Sequence, residues 1–243
     1  MLEARPYLKS IEILHDDAPK EEFPFNLPLI KNLTKIDFHE GITFIVGENG
    51  SGKSTLIEAI ATAWGFNAEG GNKNFSFSTE NTHSSLNDYI KISKSFERPR
   101  DGYFLRAESF YNVASYVDTI PEAISSFGGK SLHEQSHGES FMAIIRNKLR
   151  GNGFYIFDEP EAALSPTRQI EALKCIYRLT RENSQFIIAT HSPILLSCKP
   201  AKILQIQDGN LLEVDYLETE HFRVTRDFLN KQVGSLDINS LLD

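Results

Sequence analysis

The stretch that most constrains this chain runs from Ile42 to Trp64. The run Ile42-Thr-Phe-Ile-Val46 leads into Gly47-Glu48-Asn49-Gly50-Ser51-Gly52-Lys53-Ser54, and Thr55 then begins a segment in which Ile57, Ile60, Ala61 and Trp64 share one helical face. A buried strand must therefore give way to a helix through a loop whose glycines turn the backbone without a Cβ penalty. Successive N–H groups in such a loop, backed by the positive end of the helix, form a concavity for an anion. The pattern GxxxxGK[ST] adds an ammonium that reaches the β and γ oxygens of a nucleoside triphosphate and a hydroxyl for Mg2+. A glycine-rich turn that matched by chance would need neither the strand before it nor the helix after it.

Two further strand ends carry polar groups. Phe154-Tyr-Ile-Phe157 runs into Asp158-Glu159-Pro160, and Phe186-Ile-Ile-Ala189 runs into Thr190-His191-Ser192. Ligands of open α/β sheets bind at the carboxyl ends of the strands, so both ends are candidates to meet the glycine loop. An Asp in this position supports the Mg2+ shell, and a second carboxylate is placed to align and deprotonate water. Taken singly, each has a plain alternative: two solvated acids before a Pro, or a structural His.

With Ile203 to Ile206, these runs make four strands of the kind covered on both faces in a parallel sheet. Helical patterns separate them: Phe141, Ile144, Ile145 and Leu149 on one face of a helix from Ser140 to Leu149, and a helix from Thr167 to Glu182 after Pro166. The expected fold is α/β, a mostly parallel sheet flanked by helices, in a single domain over 1–243. The polar stretch Asn67 to Asp88 and the alternating Tyr89 to Phe96 predict an antiparallel side lobe over about 67–106, followed by a short helical segment over 109–135. Asp208-Gly209 marks a hairpin turn, and a charged helix is expected from about Glu218 to Val233.

A formal net charge of −8 opposes unaided binding to a nucleic-acid backbone. Lys91, Lys94, Arg98, Arg100 and Arg106 form a local basic segment, but acids interrupt it and a solvated face explains it. The N-terminus lacks a signal-type apolar core and no run is long enough to cross a bilayer, so the expected setting is the cytoplasm, with no membrane partner and with Cys175 and Cys198 reduced.

Taken together, these elements resemble the ABC ATPases, and more narrowly the small stand-alone ATPases similar to SMC-like and RecF-like heads, placed among AAA family ATPases in the broad naming. The deciding piece is Gln135-Ser136-His137-Gly138-Glu139-Ser140, which resembles the LSGGQ signature and precedes Asp158 by 22 residues from Ser136, while His191 follows Asp158 by 33. The resemblance implies a P-loop NTPase head that hydrolyses Mg-ATP, with ATP and Mg2+ as cofactors. Two copies would pair head to tail, each site made from the Gly47 to Thr55 cradle of one and the Ser136, Gly138 and Glu139 loop of the other. Carried over residue by residue, Lys53 and Ser54 bind phosphate and metal, Asp158 supports Mg2+, Glu159 is the base and His191 senses the γ-phosphate.

The sequence departs from the family pattern in four places. Phe104-Leu-Arg-Ala-Glu108 offers Glu where the strand-end Gln is usual, so a metal contact by Glu108 replaces that of the Q-loop. Ser165 stands where the D-loop has Asp, and His137 replaces the first Gly of the signature. Phe23 and Phe25 are the candidates to stack on adenine, with core packing as the competing explanation. The implied role is an ATP-driven dimer in a DNA-linked or defence complex with a protein partner. The alternatives are a nucleotide-gated regulatory module with slow turnover, and a transporter motor, which the short helical segment disfavours. His133-Glu134-Gln-Ser-His137 also matches the HExxH zinc-protease pattern, which needs a regular helix through those residues and a third ligand.

Overall fold

Period-two alternation divides the buried strands between two cores. In β3 (Ile42–Val46), Ile42, Phe44 and Val46 face one core while Ile45 faces the other; in β6 (Gly153–Asp158), Tyr155 and Phe157 separate from Phe154 and Ile156 in the same way. A computed structural model describes residues 6–71, 84–108 and 136–232. Its main sheet has six strands in the order β5-β6-β7-β3-β8-β9, where β5 is Asp101–Arg106, β7 Gln185–Ala189, β8 Lys202–Gln207 and β9 Asn210–Glu213. All neighbours are parallel except β8 and β9, joined by the expected hairpin with Asp208 and Gly209 both at positive φ. The cradle strand β3 therefore lies between β7 and β8, and β6 lies beside β7.

One face of this sheet is covered by α3 (His137–Ala143) and α4 (Pro166–Arg181), the other by α2 (Lys53–Trp64) and a small antiparallel sheet. That sheet runs β2-β1-β4, with β1 Leu8–Ile13, β2 Lys35–Asp37 and β4 Ile90–Lys94; α1 (Pro28–Asn32) precedes β2. Gln185 joins the two sheets: its side chain accepts from the Leu8 N–H and donates to the Leu8 carbonyl, each at 2.9 Å, and also donates to the His39 carbonyl at 3.1 Å. Buried without loss of any hydrogen bond, it fixes β1 against β7.

The side lobe expected over 67–106 divides in two. Ile90–Lys94 pairs antiparallel with β1, whereas Asp101–Arg106 is an edge strand of the main sheet, parallel to β6. Tyr103, Phe104 and Leu105 are buried, so this short run belongs to the central layer. The helix expected from Ser140 to Leu149 starts at His137 and changes to a π-helical turn over Ile144–Lys148, which keeps Phe141, Ile144, Ile145 and Leu149 buried. The segment 109–135, and with it Gln135, lies outside the described residues. After α5 (Pro193–Leu196), the last described element is α6 (Glu220–Gln232).

Candidate functional site

The cradle is held open by glycine where a side chain has no room. A Cβ on Gly47 would stand 2.9 Å from the Ile206 Cβ and 3.1 Å from the Ser51 Oγ, and Gly50 and Gly52 have φ of 77° and 95°. Lys53 is 3% exposed, and its Nζ donates to the carbonyls of Gly47 at 2.7 Å and Glu48 at 2.9 Å. Burial lowers its pKa, opposed by the nearby carboxylates of Glu159 and Asp158. The Ser51 hydroxyl is buried with no hydrogen-bond partner among the described residues, an orphaned group in a loop shaped to surround an anion. Asn49, Gly50, Gly52, Lys53, Ser54 and Thr55 line one side of a cleft of about 400 Å³ with Glu159, Leu27 and Phe23.

At the end of β6, Asp158 meets the start of α2: the Ser54 Oγ donates to its Oδ1 at 3.1 Å. Its carboxyl is 4% exposed, and burial pushes its pKa up to about 6 against the opposing pull of Arg106 and of the Ser54 hydrogen bond. Arg106, at the end of β5, lies 3.4 Å from Asp158 Oδ2, 2.6 Å from Glu58 Oε2 and 3.2 Å from Glu108 Oε2. The basic-segment reading placed Arg106 on a solvated face; its neighbours on that segment fit the reading better, Lys91 pairing with Glu12 at the surface. Glu108 is 82% exposed and lines a second cleft of about 330 Å³ with Ser54, Asp158, Glu159 and His137.

Glu159 follows in the left-handed region, with φ 49° and ψ 53°, a turn that swings its side chain out of the strand line. Its Oε1 is 3.4 Å from the Nε2 of His191, and its backbone N–H donates to the Ala189 carbonyl at 3.0 Å, so the ends of β6 and β7 are tied together. Glu161 reinforces the tie by accepting from the Thr190 hydroxyl at 2.8 Å and from the His191 N–H. On the other side of His191, its Nδ1 is 2.9 Å from the Nε2 of His221 at the start of α6. Arg106 and His221 escape a reading by motif; only the position of Arg106 at a strand end, beside Glu108, carries a signal.

Ser136 has extended backbone dihedrals and is the N-cap of α3. Its Oγ accepts from the Glu139 N–H while the Glu139 Oε2 accepts from the Ser136 N–H at 3.0 Å, a capping box. Glu139 also pairs with Arg168 at 3.4 Å, so within the chain its carboxylate is engaged at the helix start. A Cβ on Gly138 would lie 3.0 Å from the Ala163 carbonyl, which explains the glycine. Because the helix begins only at His137, the regular turn that an HExxH zinc site requires across 133–137 is broken at Ser136; His133 and Glu134 lie outside the described residues. Among the described residues no group of three or more His, Cys, Asp or Glu could hold a metal ion, and no helix is long and apolar enough to cross a membrane. The two aromatic candidates also separate: Phe25 is buried against Tyr89 at 4.9 Å between centroids, while Phe23 is 64% exposed at the lip of the cradle cleft.

Comparison with known proteins fits this geometry. Heavy metal tolerance factor 1 from Caenorhabditis elegans is 25% identical over 210 residues, 79% of this chain and 26% of that protein. A Pyrococcus furiosus protein named as an ABC transporter ATP-binding protein is 27% identical over 206 residues, 76% of each. The chain thus spans about a quarter of the length of the first relative and about three quarters of the second. Among solved structures, an SMC head bound to the C-terminal winged-helix domain of ScpA shares the fold, with a TM-score of 0.52 and 15% identity over 91% of this chain and 100% of that one. A family model described as an AAA domain matches residues 25–192, well over half of the sequence, and the chain accordingly belongs to that family, as a P-loop ATPase of the ABC type.

Proposed function

We propose that this chain hydrolyses Mg-ATP in a site completed by a second copy of itself. The observation that carries the proposal is the meeting of Ser54 Oγ and Asp158 Oδ1, 3.1 Å apart, with Glu159 and His191 beside them at the same edge of the sheet. Ser54 and Asp158 are hard oxygen donors and too few to hold a cation by themselves, which suits Mg2+ sharing phosphate oxygens and water. Bound Mg2+ would supply charge neutralisation on the β and γ oxygens. Lys53 exchanges its two loop carbonyls for phosphate oxygens, and the loop N–H groups and the Ser51 hydroxyl take the remainder of the charge. Glu159, partly exposed beside His191, orients the attacking water and takes its proton. The His191 Nε2 donates to the γ-phosphate, and Arg106 fixes the Asp158 carboxylate from behind. Phe23, with Leu27, offers an apolar wall for the base.

Ser136 and Gly138 stand at an exposed helix start, where they are available to the γ-phosphate held by the other copy. Glu159→Gln keeps the shape of the base and removes its proton affinity, so this variant with saturating Mg-ATP should double in mass by light scattering. A mass that stays monomeric would overturn the two-copy site. We further place the dimer in the cytoplasm, in a DNA-linked or defence complex that includes a protein partner; the acidic net charge means that any nucleic acid must be brought by that partner. A regulatory module with slow turnover is the second reading, favoured by Ser165, which here is spent on capping α4 where the D-loop has Asp. It requires a partner that binds in only one nucleotide state.

A further inference from the structure

We infer that His221, from the start of α6, is a positioning residue that holds His191 in the Nε2–H tautomer and so aims a donor at the reaction site. The inference rests on the reading of His191 as the γ-phosphate donor, and its own support is the geometry of two rings. The His191 Nδ1 and His221 Nε2 are 2.9 Å apart, with the rings 5.0 Å between centroids and inclined at 62°. One proton lies between these nitrogens, so with both rings neutral two arrangements exist.

In the first, His191 donates from Nδ1. Its Nε2 is then a bare lone pair facing the Glu159 Oε1 at 3.4 Å, and the proton of His221 moves to Nδ1, which is buried with no hydrogen-bond partner. That arrangement sets a lone pair against a carboxylate and strands a buried N–H donor. In the second, His221 donates from Nε2. His191 then carries its proton on Nε2, 3.4 Å from the Glu159 Oε1 though not hydrogen-bonded to it, and the orphaned His221 Nδ1 is only an acceptor. Each arrangement leaves one buried ring N–H without a hydrogen bond, but only the second replaces a lone pair beside the Glu159 carboxylate with an N–H, and it is the one that gives His191 a proton to offer a phosphate oxygen. The hydrogen bond at one ring nitrogen selects the chemistry at the other.

The pair also links the site to the last described helix. α6 begins at Glu220, whose N–H donates to the Gln205 side chain on β8 at 3.1 Å, and β8 borders the cradle strand. His221 is thus held from the sheet and delivered to His191 from outside the motifs that line the nucleotide.

The test is a nitrogen-15 NMR spectrum of histidine-labelled full-length chain without nucleotide, at a pH where the rings are neutral, with His191 assigned through His191→Gln. The expected tautomer of His191 is Nε2–H. His221→Glu, an acceptor, should convert it to Nδ1–H, and His221→Gln, which can donate from its amide, should leave it unchanged. A wild-type His191 protonated at Nδ1, or one whose tautomer ignores His221→Glu, would falsify the inference. In Mg-ATP turnover, His221→Leu should lower kcat about tenfold at constant KM, the scale of one charge-assisted hydrogen bond, with His221→Gln recovering most of the loss. Wild-type chain that gives the expected spectrum but no turnover would count against the ATPase reading alone, because the spectrum needs neither nucleotide nor activity.

Discussion

Asp158 has a carboxyl almost removed from water and, among the described residues, one ion pair at 3.4 Å and a hydrogen bond from Ser54 to compensate for its charge. Burial raises its pKa from 3.8 to about 6, so the folded chain keeps a proton that the unfolded chain has lost. Between those two values the folded state binds more protons, and stability falls as pH rises, the loss being complete above the folded pKa. His221 shifts the other way, lowered first by burial and then by His191, and it adds stability as pH rises. The two slopes overlap, and the difference between variants isolates one of them. Without metal or nucleotide, Asp158→Asn should be more stable than wild type at pH 7 by about 1–3 kcal/mol, the worth of a shift of roughly two units. The gap should close as pH falls to about 4 in chemical denaturation. A gap that is independent of pH would mean that the buried charge is neutralised by its ion pair.

α3 has a short regular part, and its N-terminus depends on one capping box. Ser136 there has two duties, as a cap in its own chain and as a proposed contact to phosphate in the other, and a substitution can separate them. Ser136→Asp keeps a good cap, so the melting temperature should hold, but it places a carboxylate where the partner's phosphate would come, so ATP-dependent association should vanish. Ser136→Ala, by contrast, should cost about 1 kcal/mol through loss of the cap. This double duty also marks how far sequence reaches. The strand-loop-helix of the cradle and the strands ending at Asp158 and His191 were legible because each is a local, uninterrupted pattern. β1, β2 and the place of β5 were not: Lys9 and Glu12 break the apolar run of β1, β2 is three residues long, and Asp101 and Arg106 disguise β5 as a surface strand. Nor did any spacing indicate His221, which meets His191 across 30 residues and the β8–β9 hairpin. Glu139, read as a nucleotide contact, has a half-exposed carboxylate that meets its own cap and Arg168, and its pairing with Arg168 spans 29 residues, which no local pattern signals.

In the whole molecule, the proposed nucleotide site gathers the ends of β3, β6 and β7, so a ligand there bridges three adjacent strands of the main sheet. Mg-ATP at a hundred times its Kd should stabilise the chain by about 2.7 kcal/mol, which for a domain of this size is a rise in Tm of about 5–10 °C. ATP with excess EDTA should give much less, because Ser54 and Asp158 contribute to the grip only through the metal; an equal rise without metal would remove Asp158 from the ligand's shell. Gln185 has a consequence at this scale. It sits at the opposite end of β7 from His191 and is fastened to β1 through both the N–H and the carbonyl of Leu8. A strand is nearly inextensible along its axis, so a tug on the small sheet is delivered lengthwise to His191, the proposed donor to the terminal phosphate. Under the proposed function, anything that docks on that sheet therefore holds a tether to the reacting end of the cleft without ever approaching the nucleotide.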